Sequence, residues 1–147
     1  DNLTKKLSKS LYLASAIRET IPLTKERLLK KFKDINIKIN IQEIIKEIER
    51  ILRINKDMID TAKEHNERIL DGTVYSLVLR FRELYLLKCI IKNRKPDKKE
   101  FLSLIGKDLY NAYLRVKRDE EEVNDISVKS AEGIYNLIKK WLKDLKG

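Results

Sequence analysis

Thr73-Val74-Tyr75-Ser76-Leu77-Val78-Leu79-Arg80-Phe81-Arg82-Glu83-Leu84-Tyr85-Leu86-Leu87-Lys88-Cys89-Ile90-Ile91-Lys92-Asn93 runs without a glycine or a proline. Val74, Leu77, Val78, Phe81, Leu84, Tyr85, Leu86, Leu87, Cys89, Ile90 and Ile91 recur in it at helical spacing. A helix lying on a protein surface needs an apolar stripe only ~100° wide, whereas these positions cover a much broader face. Residues 73–93 are therefore expected to form the central, most buried helix of a bundle.

Working outward, Asp71-Gly72 interrupts the pattern, and before it Ile41, Ile44, Ile45, Ile48, Ile51, Leu52, Met58, Ile59, Ala62 and Ile69 form another helical stripe. That stripe predicts a long helix over about 41–70. It has too few clean heptads for a coiled-coil seam, so core packing is the better reading. Ile35-Asn36-Ile37-Lys38-Ile39-Asn40-Ile41 alternates strictly, as a half-buried strand does. No second strand is legible to pair with it, and the segment reads as an extended connector. Thr24, Glu26, Leu28, Leu29 and Phe32 suggest a short capped helix, and Leu3, Leu7, Leu11, Ala14 and Ile17 predict a helix over 3–19 that Thr20-Ile21-Pro22 stops.

Downstream, Asp97-Lys98-Lys99-Glu100 has the form of a capping box, with Asp97 at the N-cap and Glu100 at N3. Gly106 ends the short helix that follows, and a second stretch runs through Leu109, Ala112, Tyr113 and Val116 to about Arg118. Asp119 to Glu122 reads as a solvated acidic turn. Ser127 then caps a last helix striped by Val128, Ala131, Ile134, Leu137, Ile138, Trp141, Leu142 and Leu145. The expected architecture is all-α, a compact bundle of five to seven helices in one domain over 1–147.

Composition narrows the function classes. Charged residues make up 38% of the chain, against roughly 25% in ordinary domains, so much of the helical surface must be solvated charge. The four glycines, Gly72, Gly106, Gly133 and Gly147, are isolated, which excludes P-loop and dinucleotide-binding fingerprints. Cys89 is the lone cysteine; it forms no internal disulfide and suits a buried apolar position, and a cytoplasmic location follows as the default. No apolar stretch approaches the ~18–20 residues that span a bilayer, so no membrane association is expected. The chain starts at Asp1 and its one methionine is Met58, from which a natural start further upstream is expected.

Catalytic chemistry is not legible. His65 is the single histidine, and with Cys89 it supplies too few ligands for a metal site. Glu64 and Arg68 around it read as a surface ion pair. Glu43, Glu47, Asp57 and Asp60 are interleaved with Lys46, Arg50 and Lys56, which reads as salt-bridged surface rather than a cation site. No cofactor, no metal and no catalytic residue is assigned, and an enzyme ranks third as a reading of this chain alone, behind a binding module and an assembly subunit.

The positive signal is charge. Net charge is +10, and residues 73–118 carry twelve basic against four acidic side chains. Lys88, Lys92, Arg94, Lys95, Lys98 and Lys99 cluster at the end of the central helix and its loop. Further on, Lys107, Arg115, Lys117 and Arg118 are interleaved with Tyr110 and Tyr113. Two explanations stand side by side: cations complementing a helix C-terminus in a lysine-rich chain, or a surface for phosphates and stacked bases of DNA or RNA. A protein partner or a homodimer is the other partner class. The spacing of 98–118 also permits a helix-turn-helix, although Leu102 would take a helix-crossing position that wants a small residue.

The run from Tyr75 to Lys88, followed by Asp108-Leu109-Tyr110-Asn111-Ala112-Tyr113-Leu114-Arg115-Val116-Lys117-Arg118-Asp119, resembles the helical C-terminal portion of archaeal minimal-type nucleotidyltransferases. That portion is similar to HEPN and kanamycin-nucleotidyltransferase helical domains, and the likeness covers residues 74–142. It implies a non-catalytic helical module that packs on a catalytic partner or grips its substrate. The Gly-Ser and paired Asp of the family's catalytic α/β domain have no counterpart in this chain. The HEPN ribonuclease pattern of Arg and His on one helix is also unmet, since the nearest arginine before His65 is Arg53. A second resemblance is to helical subunits of the GINS replication complex, through Arg82-Glu83-Leu84-Tyr85-Leu86-Leu87-Lys88 and the basic loop after it. That likeness implies an assembly subunit, and the small β-domain it would bring is absent from the sequence.

Overall fold

The computed structural model describes residues 26–146, with side chains from Ile41 onward. Among the described residues five helices make up an all-α bundle: α1 (Glu26–Glu64), α2 (Asp71–Ile91), α3 (Lys98–Ile105), α4 (Lys107–Lys117) and α5 (Val128–Lys146). The helix expected over 3–19 and the Thr24 cap lie outside the described residues.

The alternating isoleucines are not an extended connector. Residues 35–41 lie inside α1, a single helix of 39 residues. A lone strand leaves its peptide groups without partners, while a helix satisfies them within the segment, and no proline or glycine interrupts the chain between Pro22 and Gly72. At its other end α1 stops earlier than 70. Asn66 takes a left-handed conformation (φ 54°), the Glu67 amide donates to the Ala62 carbonyl at 2.8 Å and the Asn66 amide to Lys63 at 3.3 Å. This pairing closes a helix C-terminus. His65 is thus just past the helix, exposed, with its Nδ1 2.9 Å from the Thr61 carbonyl. The expected Glu64–Arg68 pair needs unbroken helix and does not form; Arg68 reaches the Asp125 carbonyl instead.

α2 is the central helix, packed against α1, α4 and α5 and touching α3. Phe81 is fully buried at its middle, with the Trp141 ring edge-on at 4.8 Å and Phe101 stacked at 5.8 Å. The end of α2 repeats the α1 stop: Asn93 has φ 54°, and Arg94 N donates to the Cys89 carbonyl at 2.8 Å. Asp71-Gly72, expected as a break, is the first turn of α2. The Asp71 carboxylate is fully buried and accepts from Arg115 Nε and Nη2 (2.8 and 2.9 Å) and from the Val123 amide (3.0 Å). It ties the start of α2 to α4 and to the 118–127 loop. Ile69 pairs with Ile126 beside it, the one β-bridge among the described residues.

The capping box before α3 forms only in part. Asp97 accepts from the Lys99 amide at 2.9 Å, but Glu100 turns to Arg94 (2.6 Å) rather than back to the cap. The Asp97 amide donates to the Tyr85 hydroxyl instead. A single residue, Gly106 at φ 86°, separates α3 from α4. That is shorter than the three or four residues of a helix-turn-helix turn, and the positive φ is one that a side chain would strain. Ser127 caps α5 as expected, its Oγ accepting from Ser130 N at 3.1 Å.

Candidate nucleic-acid interface

The turn from α2 into α3 opens a cleft between α2, α3 and α4. Arg82, Tyr85 and Leu86 line it from α2, Pro96 and Asp97 from the loop, Lys98 and Phe101 from α3, and Tyr110, Tyr113 and Lys117 from α4. Its volume is about 320 Å³. Three cations face one carboxylate, and that carboxylate already caps α3.

Each wall has a local cause. Arg82, Tyr85 and Leu86 stand three and four residues apart and so share one face of α2. The Tyr85 hydroxyl accepts from the Asp97 amide (2.9 Å) and donates to the Asp97 carbonyl (3.2 Å), pinning the loop to α2. Burial pushes this hydroxyl up to about 12, so it keeps its proton. Tyr110 and Tyr113, three apart on α4, turn toward the same cleft, and Arg82 Nη1 donates to the Tyr113 hydroxyl at 3.1 Å. The Lys98 ammonium lies 5.9 Å from the Tyr110 ring centroid, and the Lys117 ammonium 5.9 Å from that of Tyr113.

The cations singled out in the sequence divide into three groups. Lys98 and Lys117 line the cleft. Lys92, Arg94, Lys95 and Lys99 are exposed on the loop before α3 and on its first turn, with Arg94 paired to Glu100; Arg118 is exposed as the C-cap residue of α4, next to Lys117. The remaining three sit elsewhere. Lys88 is half-buried with its ammonium 4.1 Å above the Trp141 ring. Arg115 is held by Asp71 and, at 3.2 Å, by Asp125. Lys107 opens α4 at the end away from Lys117 and lines a different groove, against α5.

Among the described residues none of Lys92, Lys95, Lys98, Lys99 and Lys117 has a carboxylate within ion-pair distance. Arg82 and Tyr85 are site residues that the sequence did not single out, because Tyr85 reads as part of the apolar face of α2 and Arg82 lies outside the basic clusters; their three-residue spacing was the available signal.

A second basic cleft lies between α1 and α5, about 390 Å³, lined by Arg53, Lys139, Lys143 and Lys146 with Tyr135 and Glu49. Lys146 is paired there to Glu49 at 2.8 Å. Its lysines come from a segment whose summed charge is acidic, which hid it in the sequence.

Among the described residues, no three His, Cys, Asp or Glu side chains gather as metal ligands, and no helix is long and apolar enough to cross a membrane. Comparison with known proteins matches the chain to no family model, no curated protein and no solved structure.

Proposed function

We propose that this chain is a non-catalytic helical module of nucleic-acid metabolism, gripping the phosphate backbone at the cleft between α2, α3 and α4. The observation that carries the reading is the convergence of Lys98 and Lys117, without carboxylate partners, on two tyrosine rings beside Arg82. Unneutralised cations raise the local potential and recruit phosphates, and aromatic rings beside them suit the bases that follow. The resemblance read from the sequence over residues 74–142 implies the same arrangement, with a catalytic partner acting on the nucleic acid that the module holds.

The test is charge reversal by location. Lys98→Glu with Lys117→Glu should weaken nucleic-acid binding at least tenfold at low salt, measured by fluorescence anisotropy. Lys139→Glu with Lys143→Glu, in the α1–α5 cleft, should change it less than threefold. An equal loss from both pairs would mean diffuse attraction to a basic protein rather than a site.

A second reading, an assembly subunit, is favoured by Ile54 and Met58. These lie one turn apart on α1 and are 52% and 42% exposed. It predicts self-association or helix pairing that salt barely affects.

A further inference from the structure

We infer that the cleft between α2, α3 and α4 holds one unpaired nucleotide with its base laid on the Tyr110 ring, which makes the ligand single-stranded; this rests on the nucleic-acid reading above. Three tyrosines form a row. Tyr75 and Tyr113 are stacked with centroids 5.2 Å apart and planes 11° from parallel, and Tyr110 continues from Tyr113 at 5.8 Å and 30°. Tyr113, in the middle, is 3% exposed and held through its hydroxyl by Arg82. Tyr110 is only half-buried and is the end of the row that lines the cleft.

The next flat ring in that series would be a base. Every base has a π-face, so the fit is tolerant of sequence. Leu86, Pro96 and Phe101 give the cleft apolar walls, and Lys98 and Lys117 place positive charge where the attached phosphates would lie.

Size decides between strand types. A volume of about 320 Å³ is at the low end of the ~300–1,000 Å³ of ligand pockets, room for one base and its sugar. In a duplex the base faces are already stacked, and entry would require a nucleotide to be extruded at the cost of its stacking and pairing. A single strand presents its bases without that cost.

The experiment uses the full chain and three ligands of equal length: a single strand, the same strand with consecutive abasic sites, and the duplex. The expected result is that the intact strand binds about tenfold or more tighter than the abasic strand, with the duplex weaker than the intact strand. Tyr110→Phe should keep that advantage. Tyr110→Leu should lose it, with an unchanged helical circular-dichroism spectrum showing that the variant is folded. If the abasic strand and the duplex bind as tightly as the intact strand, backbone binding stands and the single-nucleotide inference falls. If none of the three binds, both fall.

Discussion

Asp71 shows how much a single buried charge organises. The Arg115 guanidinium, then the Val123 and Asn124 backbone, hold its carboxyl below the usual carboxylate value against the opposing effect of burial. Removing one partner of such a pair strands the other, so Asp71→Asn should cost about 2–3 kcal/mol in urea unfolding at neutral pH, discounted because Arg115 is partly exposed. The folded-state pKa is lowered, so this stabilisation is full above the ordinary carboxylate range and is lost as pH falls through the lowered value. The gap between the native chain and the Asn variant should therefore close in acid. Tyr85 runs the opposite way. Its pKa is raised from 10.0 to about 12, so its contribution is full below pH 10.0 and disappears as pH rises through about 12. Tyr85→Phe, which removes both hydrogen bonds to Asp97, should cost about 1–2 kcal/mol at pH 8 and progressively less in alkali, read from denaturant melts.

Helix ends are where the elements departed from their expected form. Stripes of apolar residues placed α2, α4 and α5 to within about two residues, because burial repeats with the helical period, and the capping pattern at Asp97 with Gly106 placed α3. The stop of α1 was harder to see, since it ends not at glycine but at Asn66, as α2 and α4 end at Asn93 and Asp119, all at φ near 54°. Asparagine and aspartate tolerate the left-handed region through local hydrogen bonding, and nothing in composition sets those positions apart from other polar sites. Within α1, alternation of isoleucines mimicked a strand across 35–41, and the absence of a pairing strand was the better guide. Asp119 also places a negative charge at the C-terminal end of α4, where the helix dipole disfavours it. Asp119→Gly should raise stability by about 0.5–1 kcal/mol in thermal or denaturant melts, and Asp119→Val should lower it.

Across the whole molecule, half of the site was legible and half was a product of folding. Lys98, Lys117, Tyr110 and Tyr113 stood out as basic and aromatic residues interleaved along the chain, but their convergence depends on the one-residue turn at Gly106 folding α4 back beside α3. The same folding turned Lys88 onto Trp141, Arg115 onto Asp71 and Lys107 toward α5, so that three conspicuous cations point away from the cleft. Arg82, counted in the basic middle of the chain but outside its clusters, and Tyr85, one of the apolar positions, came in from the central helix. The central claim, that this surface neutralises phosphates, is tested most directly by the affinity of the full chain for a labelled single strand across a salt series. Binding is expected with a log–log salt slope of about −3 to −4, from roughly five phosphates met by the lysines without carboxylate partners at ~0.7 ion released per contact. Absence of binding at low salt, or binding indifferent to salt, would contradict it.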